Sequence, residues 1–210
     1  MSTIDLAKTL GDACYGFLAV NFFWGLYCVI MGWRRVAQLS FKSQDKQGGF
    51  LNDLMEKLHG GQYNAPAEQC QNDPPALPQL AHVAIANRQI GFEPMRQFVN
   101  EILQRVVLAD LEYRSSCIAT VIKSGPLLGL FGTVLGMMAG FGRIGQGQKD
   151  QAAQIAAEIS IALICTAMGL ATAIPFNFLL AAIQVRVRRL QDSLASGLVR
   201  VLDFFKKHAG

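Results

Sequence analysis

The sequence contains few charged residues, and nearly all of them lie outside three long apolar segments. Asp, Glu, Lys and Arg make up 16% of the 210 residues, whereas hydrophobic residues make up 51%. Soluble domains usually carry about 25% charged residues, so this composition favours an integral membrane protein. The net charge of +4 is modest, and no nucleic acid is expected among the partners.

Residue groups that catalysis or metal binding would need are also missing. None of the five cysteines forms a CxxC pair, and the three histidines are isolated; these residues are Cys14, Cys28, Cys70, Cys117, Cys165, His59, His82 and His208. This pattern favours scattered reduced thiols and surface histidines over a metal or redox site. The sequence has no phosphate-cradling loop and no nucleophile–base set, so an enzyme is not expected.

Three apolar segments are long enough to cross a bilayer, which requires about 20 residues per helix. They cover residues 13–33, 117–142 and 155–184. The remaining parts are an N-terminal lead-in (1–12), a middle region (34–116), a short loop (143–154) and a C-terminal helix (185–210). The first segment does not resemble a signal peptide, because Asp5 and Asp12 precede it and Trp33-Arg34-Arg35 replaces a cleavage site.

Basic residues indicate the orientation of these segments. Most Lys and Arg lie in the middle region and the C-terminal tail, and five of them adjoin the ends of segments: Arg34, Arg35, Arg186, Arg188 and Arg189. The positive-inside rule then places the N-terminus and the short loop outside and the other two parts in the cytoplasm. The arginines near the third segment would anchor this topology and could touch anionic lipids.

The cytoplasmic parts are expected to be mainly helical. Gln44–Gly49 is polar and rich in glycine, Gly60-Gly61 interrupts the chain again, and four prolines indicate a linker over about residues 60–78. Apolar residues at helical spacing predict a helix over about 93–122 that continues into the second segment. The third segment is expected to continue to about residue 207, which gives a helix of roughly 85 Å with Pro175 inside it.

The second segment carries an unusual stripe of glycines around one threonine. Gly129, Gly132, Gly136 and Gly140 recur near Thr133 in GPLLGLFGTVLGMMAGFG. Glycines four residues apart allow helix backbones to approach closely inside lipid. Residues three and four apart share a helical face, so the hydroxyl of Thr133 belongs to this stripe.

A similar stripe occurs in the third segment, where Ala162, Thr166, Gly169 and Ala173 share a face. Either threonine alone would be read as bonding to its own helix, with the small residues serving helix packing. Two matching faces on consecutive segments favour a shared polar path instead.

Glu158 is the only carboxylate near a span, about two turns outward of Thr166. Two interpretations stay open: a proton-handling group, or a helix-start residue in the outer headgroup layer. No acid lies deeper, so an ion path built from this chain alone would lack a titratable group at mid-depth.

These motifs resemble the MotA/TolQ/ExbB proton channel family. The resemblance rests on GPLLGLFGTVLGMMAGF (125–141), ISIALICTAMGLATAIP (159–175) and the lead-in LEYRSSCIATVIKS, and covers about half the chain. The three-span layout resembles ExbB and TolQ more than the four-span MotA. One departure is Ile161, which stands where ExbB and TolQ typically have a glutamate; Glu158, one turn outward, could replace it.

The resemblance implies a multi-pass protein of the bacterial inner membrane that forms a homopentamer around a central pore. Two copies of a single-span partner of the ExbD/TolR/MotB type would occupy the pore, and their transmembrane aspartate would carry the ion. Family threonines matching Thr133 and Thr166 face that aspartate. The expected function is therefore the pore-forming stator subunit of an ion-driven motor that needs no cofactor beyond transported H⁺ or Na⁺. A passive oligomeric membrane scaffold is the alternative, and both the ion and the powered process stay open.

Overall fold

The protein is built almost entirely of helices. The computed structural model describes residues 3–41, 44–60, 75–145 and 152–208, and no strand occurs within these ranges. The α-helices are α1 (Thr3–Leu39), α2 (Gln44–His59), α3 (Ala76–Ala86), α4 (Phe92–Ile102), α5 (Ala109–Gly145) and α6 (Ala152–His208). A short 3₁₀ turn (Arg88–Ile90) precedes α4, and a π-helical segment (Leu103–Leu108) joins α4 to α5. The predicted all-α class is confirmed.

Three helical stretches are long and apolar enough to cross a membrane, judged by length and composition: Thr9–Leu39, Phe92–Gly142 and Ile159–Lys207. Helix α6 has 57 residues and is therefore about 85 Å long, with Pro175 inside it. The helical run from α4 through α5 is also unbroken apart from its π-helical segment.

The middle region (34–116) contains two helices that the sequence patterns did not reveal. Helix α3 begins at Ala76, two residues before the approximate end expected for the linker, and residues 61–74 of that linker lie outside the described ranges. Proline suits this start: Pro75 is the N-cap in an extended conformation, and Pro78 lies in the first turn, where no intrahelical N–H bond is lost.

Helix α2 includes the glycine-rich stretch Gln44–Gly49. Its buried residues Gln47, Leu51, Leu54 and Leu58 follow steps of four and three, the spacing of one helical face. Burial of this face outweighs the cost of two glycines inside a helix, about 1 kcal/mol each relative to alanine.

The first of two compact units comprises Met1–Ile30 and Ser115–Ala181. Its interior is small, with a core cluster of Cys14, Leu18, Leu135 and Cys165. Many large apolar side chains point outward instead, among them Phe23, Leu127, Ile164 and Phe178. An outward apolar surface is what a lipid environment or contact with further copies of the chain requires.

A polar contact joins α1 to α5 within this unit. The Asn21 side chain donates from Nδ2 to the Val121 carbonyl at 3.3 Å, and Ser124 Oγ donates to Asn21 Oδ1 at 2.8 Å. Asparagine in an apolar helix needs such partners, because an unsatisfied amide inside lipid is costly.

Replacing Asn21 by leucine is expected to lower the unfolding free energy in detergent by about 1 kcal/mol, the usual scale of one interhelical hydrogen bond in a membrane protein. Titration with a denaturing detergent, followed by circular dichroism, measures this change. Tyr27→Phe, on an exposed side chain of the same helix, is the control and should change the midpoint little. Equal midpoints for Asn21→Leu and the control would contradict the role of Asn21.

The second unit comprises Met31–Arg114 and Ala182–Gly210. Its core is apolar and contains residues of α2, α3, α4, α5 and α6, among them Leu58, Leu80, Ile85, Met95, Val99, Leu111, Leu194 and Val201. Asp110 holds two arginines: its Oδ2 lies 2.8 Å from Arg35 Nε and its Oδ1 lies 3.0 Å from Arg114 Nε. Arg186 stacks over Trp33, with its guanidinium carbon 3.7 Å from the ring centroid.

Candidate ion-pathway site

Helices α5 and α6 meet through bare backbone. A methyl group at Gly129 would lie 2.8 Å from the Cys165 carbonyl oxygen and 2.9 Å from Thr166 Cα. At Gly169 it would lie 2.6 Å from the Gly125 carbonyl oxygen. All three distances are shorter than the contacts that real Cβ atoms make, so the crossing requires glycine on each helix. Gly125 and Gly129 of the second span therefore pack against the third span of the same chain.

The two threonine hydroxyls meet at this crossing. Thr133 Oγ1 lies 3.0 Å from the Gly129 carbonyl of its own helix and 3.1 Å from the Ala162 carbonyl of α6. Thr166 Oγ1 lies 3.0 Å from the same Gly129 carbonyl and also contacts Thr133 Oγ1. Each hydroxyl has one proton to donate. The two protons thus have more than two acceptors within reach. Each hydroxyl can therefore change the acceptor to which it donates without movement of either backbone.

The two threonines differ in exposure. Thr133 is only 6% exposed, whereas Thr166 is partly open to the surroundings of the chain. A group approaching from outside this chain would therefore meet the Thr166 hydroxyl first. Thr133 lies behind it and keeps its partners within the protein.

The other predicted site residues divide into buried and exposed sets. Gly129, Gly132, Gly140, Ala162, Gly169 and Ala173 are buried, Gly136 is half-buried and Pro175 is exposed. Arg35 is tied to Asp110 and Arg186 to Trp33, while Arg34, Arg188 and Arg189 are exposed. Glu158 lies in α6, but its side chain falls outside the described part of the structure.

Ile161 is the position at which the resemblance leads us to expect a glutamate. Its side chain is 53% exposed, so a carboxylate at this position would point away from the interior of the chain. The Ile161 backbone carbonyl accepts a hydrogen bond from the Tyr15 hydroxyl at 2.7 Å. Tyr15 thus joins α1 to α6 at Ile161, which precedes Thr166 by five residues.

Tyr15 and Asn21 were missed as candidate polar contacts. Both lie in the first apolar segment, where a hydroxyl and an amide interrupt an otherwise hydrophobic run. That interruption is the signal that could have identified them. No group of three or more His, Cys, Asp or Glu side chains that could hold a metal occurs among the described residues.

The helices that carry the threonine pair lie in a part of the chain that matches a known protein family. Residues 79–196, which include the π-helical segment, α5 and the threonine pair, match the family model described as the MotA/TolQ/ExbB proton channel family. The chain belongs to this family. The matched range contains α5 and α6 up to residue 196, and it leaves out α1 with Tyr15 and Asn21.

Curated relatives agree with this membership. The chain is 32% identical over 133 residues to the biopolymer transport protein ExbB of Neisseria gonorrhoeae, covering 61% of this chain and 54% of the relative. It is 34% identical over 116 residues to ExbB of Pseudomonas putida, covering 52% and 35%. It is 36% identical over 85 residues to the Tol-Pal system protein TolQ of Haemophilus influenzae, covering 40% and 37%. The matches therefore span about half or less of these relatives.

Proposed function

We propose that this chain is the pore-forming stator subunit of an inner-membrane motor driven by a gradient of protons or sodium ions. It would act as a homopentamer around two copies of a single-span partner of the ExbD, TolR or MotB type, with the N-terminus outside and the C-terminus in the cytoplasm. The observation that carries the proposal is the meeting of the Thr133 and Thr166 hydroxyls at the glycine crossing.

The chemistry of this pair explains why a partner is needed. A threonine hydroxyl donates one hydrogen bond and accepts others, but it does not titrate at physiological pH. Among the described side chains at the crossing none is a carboxylate. The titrating group would therefore be supplied by the partner's transmembrane aspartate, since an intramembrane acid is costly and usually functional.

A proton cycle follows from the alternative donor patterns. When the partner aspartate is ionised, the half-open Thr166 hydroxyl would donate to it, while Thr133 continues to donate to the Gly129 or Ala162 carbonyl. When the aspartate is protonated, Thr166 would return to the Gly129 carbonyl. The charged aspartate is thereby held at one subunit and the neutral one released, which would let the partner advance around the ring. A sodium ion could be ligated by the same oxygens.

The exposed apolar side chains support the oligomeric part of the proposal. Ile161, Met168 and Phe178 of α6 and Leu130 and Met138 of α5 point away from the chain's own interior. Two adjacent spans with outward apolar side chains can contact lipid with one face and neighbouring subunits with another.

A passive scaffold is the second candidate, and one observation favours it. Each threonine hydroxyl already has a backbone acceptor within the chain, as a purely structural contact would. In that case the glycine crossing would hold α5 against α6, and the chain would oligomerise without moving an ion.

Reconstitution separates the two candidates. The full chain is co-expressed with a single-span protein that carries one transmembrane aspartate, and the purified complex is weighed by native mass spectrometry and placed in liposomes. Under an imposed membrane potential, the complex should acidify the lumen or admit sodium, and an Asp→Asn change in the partner should abolish the flux. Capture of no such partner, or flux that survives the Asp→Asn change, would favour the scaffold.

A further inference from the structure

A groove in the second unit, separate from the glycine crossing, lies between α2 and the part of α6 beyond the third span. Its volume is about 490 Å³, within the range of about 300–1,000 Å³ that is usual for small-molecule sites. Five of its lining residues come from α6 (Arg189, Asp192, Ser193, Ser196 and Arg200), and the rest are Gln47, Gly48 and Leu51 of α2.

Positive charge lies at both ends of this groove. Arg189 and Arg200 are exposed, and neither forms an ion pair with a described side chain. They are eleven residues apart on one helix, so their Cα atoms are about 16 Å apart. Asp192 lies between them and offers an acceptor to hydroxyl groups. The groove thus has a positive charge at each end, from Arg189 and Arg200, and the hydrogen-bond acceptor Asp192 between them.

Gly48 leaves the groove open from the opposite wall. It lies inside α2, yet a methyl group built on it would have no atom within 4 Å. Packing therefore does not require glycine here, although glycine weakens a helix interior. Bare backbone facing an open groove allows a ligand to approach closely.

The two walls are fastened to each other around Gly48. Gln47, which is only 8% exposed, donates from Nε2 to the Ser193 carbonyl at 2.9 Å, and Ser193 Oγ donates to Gln47 Oε1. Ser196 Oγ donates to the Ser193 carbonyl at 3.0 Å. These serine protons are committed within the protein, so the arginines remain the principal donors to a ligand.

Position along α6 argues against a lipid headgroup as the occupant. Arg186 stacks on Trp33, and tryptophan and arginine typically mark the membrane interface. From Arg186, Asp192 is about 9 Å and Arg200 about 21 Å farther from the third span, at 1.5 Å per residue. Most of the groove therefore lies beyond the headgroup layer.

We propose that this groove binds a soluble, elongated ligand with an anionic group at each end and hydroxyl groups between them, the chemistry of a sugar bisphosphate. Guanidinium groups match phosphate geometry in a bidentate manner, which assigns the two anionic ends to Arg189 and Arg200. The hydroxyl groups donate to Asp192, and the ligand's carbon chain lies against Gly48 and Leu51.

Titration calorimetry on the full chain in detergent, in a phosphate-free buffer with fructose 1,6-bisphosphate as the probe, tests this site. We expect saturable binding at least tenfold tighter than that of inorganic phosphate. Arg200→Gln and Gly48→Ala should each weaken binding at least tenfold, because the first removes an anion partner and the second places a methyl group where the ligand would contact bare backbone. Absence of saturable binding by the unmodified chain would overturn the proposal.

Matched controls distinguish a site from general charge or folding effects. Gly49→Ala adds the same methyl group one residue away, also into open space but outside the groove lining, and Lys206→Gln removes an exposed charge beyond it. Both should bind within twofold of the unmodified chain, whereas equal loss in these controls would contradict the site. Competition by phosphatidylglycerol nanodiscs, with none by phosphatidylcholine nanodiscs, would assign the groove to a lipid headgroup and overturn the soluble ligand.

Discussion

Alanine at Gly129 is expected to lower the unfolding free energy of the chain in detergent by about 2–3 kcal/mol, the upper part of the range for overpacking a tight interior. The added methyl group would lie 2.8 Å from the Cys165 carbonyl oxygen and 2.9 Å from Thr166 Cα. Both atoms belong to the backbone, so no side-chain rotation relieves the overlap and α5 must move away from α6. The threonine contacts across the crossing would lengthen with it. Denaturing-detergent titration gives the loss of stability.

Gly16→Ala is the matched control for this change. Gly16 lies in α1 of the same unit, and a methyl group there would have nothing within 4 Å. Alanine favours a helix over glycine by up to about 1 kcal/mol, so this variant should be as stable as the unmodified chain or more so. A Gly129→Ala protein that matches Gly16→Ala in stability would show that the crossing is looser than the contacts indicate.

Valine at Thr133 or Thr166 is expected to reduce ion flux through the reconstituted complex at least tenfold while costing only about 1 kcal/mol of stability. Valine has nearly the shape of threonine, and a lost interhelical hydrogen bond in a membrane protein usually costs about 0.6–1.7 kcal/mol. The Gly129 and Ala162 carbonyls keep their own helical N–H partners. Transport loses much more, because Thr166→Val removes the hydroxyl proposed to meet the partner's aspartate and Thr133→Val removes the hydroxyl that contacts Thr166. Liposome flux and detergent stability are measured on the same preparations.

The chain supplies close controls for the threonine variants. Thr172 of α6 bonds to the Met168 carbonyl at 2.9 Å, and Thr120 of α5 bonds to the Ser116 carbonyl at 2.9 Å, each within its own helix. Valine at either position should leave flux within twofold of the unmodified complex. Thr166→Ser keeps a hydroxyl and should retain most of the flux. Normal flux from both Thr133→Val and Thr166→Val would rule out the proposed ion path.

The membrane part of the fold could be predicted from the sequence because its signals are local and periodic. Long apolar runs identify spans, and the three-and-four spacing places Thr133 with Gly129 on one face before any partner is known. The same spacing places Thr166 with Gly169. The structure brings these two faces together, which spacing alone could only suggest.

Other features depend on tertiary contacts that spacing does not show. Thr133 bonds to its own helix, as a single threonine in an apolar helix is expected to, but it also bonds to α6, and residue spacing does not show that second contact. Helix α2 forms despite Gly48 and Gly49, because its leucine face is buried by other parts of the unit. Asn21 was overlooked because its partners, Val121 and Ser124, are about a hundred residues away along the chain.

The π-helical segment Leu103–Leu108 determines which side chains before and after it lie on the same face of the helix. Val99 and Val107 are both buried, yet eight residues of an ordinary α-helix overshoot two full turns by about 80°. A π-helical segment takes more residues per turn and absorbs that excess, so Met95 and Leu111 enter the same core although they lie on either side of it. The segment thus holds one more residue than an ordinary α-helix would need to keep these buried faces aligned. Removal of that residue, with a return to plain α-helix, would preserve the alignment of these faces, whereas the same deletion inside α4 would turn Met95 out of the core.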